Sequence, residues 1–109
     1  MSYNIIAVPT FKSQLKRLAK KYPSLKADLA NLFKILEENP KQGKSLGKNC
    51  YKIRLAISSK GKGKRGGARV ITNFTIEDDT VYLLSIYDKS DKSDLTDNEL
   101  KELLDEMQD

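Results

Sequence analysis

The sequence predicts an α+β domain in the order β-α-α-β-β-β-α, with a twisted, mainly antiparallel sheet packed against a helical hairpin. Three observations lead there. Apolar residues between positions 11 and 36 recur at helical spacings in two runs parted by Pro23. Between positions 51 and 87 the pattern changes to three short runs that alternate or are continuously apolar, as strands do. A Thr-x-x-Glu capping box at Thr96 and Glu99 then opens a last amphipathic helix. The 109 residues make one domain, 1–109, long enough to take about 65% of its unfolded surface out of water.

Tyr3 to Val8 is short, β-branched and stopped by Pro9, so it is expected to be a strand. Thr10 is positioned to cap a helix whose core stripe is Phe11, Leu15, Leu18 and Tyr22, with Lys12, Lys16, Arg17, Lys20 and Lys21 on its other faces. Pro23 ends it. Ser24 is placed to cap a second helix carrying Leu25, Leu29, Leu32, Phe33 and Leu36, which stops at Asn39-Pro40. So short a connection forces the two helices antiparallel. Lys41 to Asn49 is expected to be a polar loop. Its Gly43-Lys44-Ser45 resembles the end of a nucleotide phosphate loop, but that motif needs a glycine at position 38, which holds Glu38.

From Tyr51 to Ser58, Tyr51, Ile53, Leu55 and Ile57 take one sheet face and leave Lys52 and Arg54 on the other. Ala68 to Glu77 alternates in the same way, with Arg69 opposite in phase to Val70. Val81 to Tyr87 is apolar on both faces and is expected to be an inner strand. In the last helix Leu95 is positioned to staple to Leu100, and Leu100, Leu103, Leu104 and Met107 form the apolar stripe of an otherwise acidic surface.

The stretch Lys60 to Arg69, KGKGKRGGAR, packs five cations and four glycines into ten residues. Glycine lets a backbone approach a ligand closely, so the stretch reads as a mobile cationic loop suited to phosphates. If it closes a hairpin, Lys52, Arg54 and Arg69 share one face beneath the loop cations and make a concave basic patch. Charge is divided along the chain: residues 1–75 carry a net +14 and residues 76–109 a net −9. A body so charged is expected to bind a polyanion, above all nucleic acid.

With no histidine and one cysteine, Cys50, the chain has no means to form a Ser-His-Asp triad, an internal disulfide or a His-ligated metal site. No metal or cofactor is expected. Chemistry falls to Lys, Arg, Tyr, Asp or Glu. There is no signal-peptide pattern and no apolar run near the ~20 residues of a membrane span, so a cytoplasmic protein without membrane contact is expected.

The order of elements, together with NPKQG after the second helix, YKIRLA in the next strand, KGKGKRGGARV into the following one and YLLSIYDKSDKSDL before the last helix, resembles the RelE/ParE superfamily of bacterial toxins, most closely its HigB-type branch. The resemblance covers nearly the whole chain. It implies a RelE-like microbial ribonuclease fold, a toxin that enters the ribosome and cuts mRNA, and a cognate antitoxin, expected to be a helix-turn-helix protein similar to HigA. Carried onto this sequence, the family's cationic strand residues fall on Lys52 and Arg54, its strand-start arginine on Arg69, and its strand-exit residues on Tyr87 and Lys89. Two departures stand out: Asp88 occupies a position where glycine is expected, and the closing helix is long and acidic where a catalytic aromatic is expected.

Cleavage by the message's own 2′-hydroxyl needs a base, charge stabilisation at the phosphorane and an acid for the leaving 5′-oxygen. Arg69 and Lys64 are the candidates for charge, because a guanidinium fork matches two phosphate oxygens. Tyr87 and Lys89 are the candidates for proton transfer, on the expectation that crowded cations pull both pKa values down. Lys60, Lys62, Arg65 and Lys92 are candidate RNA contacts beside Lys52 and Arg54. Two other classes use the same residues: a non-catalytic RNA- or ribosome-binding module, and a gyrase poison of the ParE type, expected to lack the cationic strand pair.

Overall fold

Pro9 decides where the first helix begins. A computed structural model describes residues 2–107, and in it strand β1 (Asn4–Ala7) hands over directly to helix α1 (Pro9–Lys21), with Pro9 in the first turn, where no intrahelical N–H is needed. The cap is therefore Val8, not Thr10, and it makes no side-chain bond. The Thr10 hydroxyl and N–H donate instead to Glu106, at 2.6 and 2.8 Å. Helix α2 (Leu25–Glu38) follows with Ser24 at its N-cap, but the Ser24 hydroxyl bonds Asp28 and Ser59 and caps nothing. Phe11 and Leu18 of α1 and Leu25, Leu29, Leu32 and Leu36 of α2 are buried, so both stripes form core as their spacing predicts. Each such side chain contributes about 1.5–3 kcal/mol on burial.

The segment expected to be a loop at 41–49 contains a fourth antiparallel element. Strand β2 (Lys44–Gly47) pairs with β3 (Cys50–Leu55) across a turn in which Lys48 and Asn49 both have positive φ, 54° and 61°. The preferred sequence for such a turn is Asn-Gly; Lys-Asn does not advertise it. Gly43 precedes β2 with φ 90°, and a Cβ there would lie 2.3 Å from the Lys52 carbonyl oxygen. The chain thus folds as β-α-α-β-β-β-β-α.

After β3 come a 3₁₀ turn at Ser58–Lys60 and the glycine-rich loop, then β4 (Ala68–Thr75), a second 3₁₀ turn at Ile76–Asp78, β5 (Thr80–Asp88) and α3 (Asp97–Glu106). The strand order is β1-β5-β4-β3-β2; β1 runs parallel to β5 and the other pairs are antiparallel. Strand β5 is an inner strand, as its composition predicts. A bulge where Ile71 faces Ser85 but Thr72 faces Leu83 leaves Leu84 extra. Beyond the end of β1, the Gln14 side chain accepts from the Ile86 N–H at 2.9 Å and so closes the open edge of β5. The helical hairpin covers the face bearing Val70, Phe74 and Ile86. Helix α3, started by the Thr96–Glu99 capping box, lies against β5 on the face bearing Arg69 and Tyr87.

Candidate functional site

Strand register makes the site. Arg54 of β3 faces Arg69 of β4, which faces Tyr87 of β5, so the three lie in one row on one sheet face, with Lys52 one pleat further along β3. Directly opposite residues in an antiparallel pair have their Cβ atoms about 5 Å apart. The alternation of the two strands foretold this face.

Beside the row, Lys44, Lys52, Arg54 and Lys64 line a groove of about 400 Å³ with Gln42, Gly43 and Ile53, and no carboxylate lines it. Lys44 escaped the sequence reading because its strand did. Lys64, Lys62 and Arg65 are exposed in the loop and free to turn toward a ligand. Lys52 reaches Asp94, in the segment before α3, at 3.2 Å. The Leu95 N–H and the Lys52 ammonium hold the Asp94 carboxyl below its usual range.

Arg69 is placed where the sequence puts it but is occupied otherwise. It is 4% exposed, and its guanidinium donates to the carbonyls of Lys64 (3.0 Å), Ala68 (3.0 Å) and Arg65 (3.3 Å). It therefore shapes the loop from beneath. Gly67 completes that shape, since a Cβ on it would lie 2.1 Å from the Leu55 carbonyl oxygen. Its own carbonyl accepts from the Lys89 N–H at 3.1 Å. Lys89 is exposed in the turn that leaves β5.

Lys60, expected to be an RNA contact, does not line the groove and is engaged elsewhere. Its ammonium lies 2.6 Å from Asp88 and 2.8 Å from the Ser90 hydroxyl, over the ring of Tyr22, with a side chain 9% exposed. Asp88, fully enclosed, also accepts from the Tyr22 hydroxyl at 2.5 Å and the Ser90 N–H at 2.9 Å. Burial alone would raise the Asp88 pKa; the bonds from Lys60, Tyr22 and Ser90 outweigh it and hold the carboxyl well below the ordinary range. Burial would likewise lower Lys60, and Asp88 reverses that into a rise. The aspartate that departs from the family pattern is thus the anchor of a clasp that ties the start of the cationic loop to the end of β5 and to the end of α1.

Tyr87 corrects the expected direction of its pKa. Its hydroxyl is buried with no hydrogen-bond partner. Burial pushes its pKa up, the Asp94 charge adds to the rise, and Arg69 opposes it. Crowding by cations is the smaller influence because α3 and the segment before it exclude water. A cavity of about 220 Å³ lies over the ring, lined among others by Gln14, Ser85, Glu99, Glu102 and Glu106. Lys92, another candidate RNA contact, pairs with Glu99 and stands 5.9 Å over the Tyr87 ring. Residues of α3 and of the segment before it thus lie over the Tyr87 ring.

Fold and site together define a small α+β protein that presents a basic groove with no carboxylate in its lining beside a buried arginine and tyrosine. Residues 9–108 match the family described as the RelE toxin of RelE/RelB toxin–antitoxin systems. The chain belongs to that family. Among solved structures it is similar to a free RelE toxin variant from E. coli, at 21% identity over 85% of this chain and 90% of that one, with a TM-score of 0.60. It is also similar to a chain of the intact E. coli RelBE toxin–antitoxin complex, at 19% identity over 80% and 96%, TM-score 0.61. A third match is the RelBE2 complex of Mycobacterium tuberculosis, at 21% identity over 81% and 92%, TM-score 0.58. Among the described residues no helix is long and apolar enough to cross a membrane.

Proposed function

We propose that this chain is the toxin of its toxin–antitoxin pair and acts as a ribosome-dependent, metal-independent mRNA endonuclease in the cytoplasm. The observation that carries the reading is the row Arg54–Arg69–Tyr87 beside a groove lined by four cations and no carboxylate. A message laid in that groove meets Lys44, Lys52, Arg54 and Lys64 along its phosphates. Arg69 sets the loop carrying Lys64 and adds its field to the phosphorane, and Lys89 adds charge at the strand exit. The 2′-oxygen bonds to phosphorus as its proton passes to solvent water, and as the P–O5′ bond breaks Tyr87, once α3 moves off its ring, gives its hydroxyl proton to the leaving 5′-oxygen and is reprotonated from solvent. A site that must first be uncovered suits a substrate delivered by the ribosome and favours slow cleavage of free RNA. The segments NPKQG and KGKGKRGGARV support the HigB-type branch. The expected partner is a HigA-like antitoxin that buries the basic face or displaces α3.

The test adds purified protein to translating ribosomes and maps cuts within codons. Arg69→Ala is expected to lower the cleavage rate on the order of 10²-fold, through loss of its charge near the phosphorane and of the loop shape that positions Lys64, with ribosome binding retained. Arg69→Lys should fare little better, because the guanidinium reaches its three carbonyls from two separate nitrogens and a single ammonium nitrogen does not reproduce that fork. Binding with an intact message even for the wild type would leave a non-catalytic ribosome-binding module. Damaged gyrase with an intact message would leave a ParE-type poison.

A second expectation concerns the loop. Because Lys60 is held by Asp88, neutralising Lys60, Lys62 and Lys64 together should flatten the salt dependence of ribosome association by about two units of slope, not three, since each phosphate contact contributes roughly one. An unchanged slope in a titration across salt would place the loop away from RNA.

A further inference from the structure

The pairing of β2 with β3 begins at Lys44, opposite Lys52, so the outer edge of β3 is open from Ile53 to Leu55. Register decides what that edge offers. The Phe74 N–H donates to the Asn49 carbonyl in step with the β3–β4 ladder, so Tyr51, Ile53 and Leu55 are the β3 residues whose backbone is bonded to β4. The N–H and C=O of Arg54 therefore turn outward, one donor beside one acceptor, and among the described residues no strand receives them.

A pocket of about 260 Å³ follows this edge, between α2 and β3. Leu32 and Ile35 supply apolar surface to it, and Ile35 is 51% exposed while Leu25, Leu29, Leu32 and Leu36 of the same helix are buried. Two amides line it as well. Asn31 is exposed and makes no side-chain hydrogen bond among the described residues, and Gln42 donates through Nε2 to the Asn39 carbonyl at 3.2 Å, which leaves its Oε1 free. The Asp28 carboxylate is also in the lining, but it is taken up by the Ser24 hydroxyl and by the N–H and hydroxyl of Ser58. Arg54 and Lys64 line both this pocket and the basic groove, as do Gln42 and Ile53, so the two are continuous.

We propose that the pocket is a nucleobase subsite, taking one base of a single-stranded RNA whose phosphates lie in the adjoining groove. The inference rests on the RNA reading above and deepens it to a place where a base of the message is held. A base has apolar faces, which Leu32 and Ile35 cover, and an edge of donors and acceptors, which the Arg54 backbone and the two amides meet. Arg54 and Lys64 hold the flanking phosphates. A protein strand laid along β3 is the competing occupant, and the edge is too short for it. Within β3 only Arg54 offers outward groups beyond Lys52, which β2 has taken, whereas strands typically run for about 5–6 residues. The volume agrees, since it falls below the roughly 300 Å³ at which pockets for drug-sized ligands begin and has room for a ring system, not a chain.

The test compares two uncleavable single strands of equal charge: a 2′-O-methyl adenine hexamer, which lacks the attacking hydroxyl, and a hexamer of abasic residues. Each is titrated by fluorescence anisotropy at about 50 mM salt. The variant is Ile35→Gln, at a half-exposed helical position where the core is untouched. The ratio of adenine-hexamer to abasic-hexamer affinity is expected to be about fivefold smaller in Ile35→Gln than in the wild type, the low end of what one stacked base contributes. Lys44→Gln, in the adjoining groove, should weaken both hexamers alike and keep the wild-type ratio. The same ratio in the wild type and Ile35→Gln would overturn the subsite and leave the groove as an RNA site. A wild type that binds neither hexamer would overturn the RNA reading together with the subsite. An acidic hexapeptide that displaces the adenine hexamer from the wild type, and is itself bound more weakly by Ile35→Gln, would assign the pocket to a protein segment and overturn the proposal.

Discussion

Replacing Tyr87 by Phe is expected to lower message cleavage on saturating ribosomes about 10³-fold, within the range typical of a lost general acid, without lowering the melting temperature. The two halves of this result separate chemistry from structure. The Tyr87 hydroxyl is buried with no hydrogen-bond partner, so Phe removes an unpaired buried polar group that costs about 1–3 kcal/mol and leaves the ring in place. A purely structural tyrosine would show the reverse, with cleavage kept and stability lost. Single-turnover cleavage beside a calorimetric melt decides between them.

Asp88→Ala is expected to lower the melting temperature on the order of 20 °C. The substitution leaves the Lys60 ammonium enclosed without its counter-charge and the Tyr22 hydroxyl without its acceptor. Breaking a buried pair from one side costs about 3–5 kcal/mol, and each kcal/mol moves the melting point of a domain this size by about 4–8 °C. The pH dependence has a definite sign. Asp88 ionises below its unfolded pKa, so its contribution is whole above about pH 4 and fades as pH falls from there toward its depressed native value. Lys60 is raised, so its share is whole below about pH 10.4 and fades as pH climbs through its native value. Asp88→Asn should therefore flatten the acid limb of a stability–pH profile, and Lys60→Met/Asp88→Leu should recover most of the loss. An Asp88→Ala protein melting within a few degrees of the wild type would show the clasp to be dispensable.

What was legible in the sequence followed from local period. Alternation in 51–58 and 68–77 was enough to place Lys52, Arg54 and Arg69 on one face, because a strand's side chains have only two directions to take. The capping box at Thr96 and the leucine stripes were equally local. The features that eluded the sequence are those fixed by distant partners. Thr10 has the chemistry of a cap, yet the helix starts two residues earlier, at Pro9, and Glu106 takes its hydroxyl. Lys44–Gly47 is a strand only because β3 offers it an edge. Lys60 looks identical to Lys62 and Lys64 in a list of cations, but it alone meets Asp88. The direction of the Tyr87 pKa depended on whether the acidic helix stands clear of the ring or lies over it.

The parallel pairing of β1 with β5 has a consequence for biosynthesis. Asn4 finds its partner at Thr80 and Ala7 at Leu83, so the first strand to leave a ribosome must wait for the last one before its backbone is satisfied. Such long-range closure is late in folding, since chain entropy is spent before the contact rewards it. Tyr87 and Asp88 are not even joined to the chain until that point. A nascent copy therefore lacks the sheet that sets Arg69 beside Tyr87 until its synthesis is nearly complete.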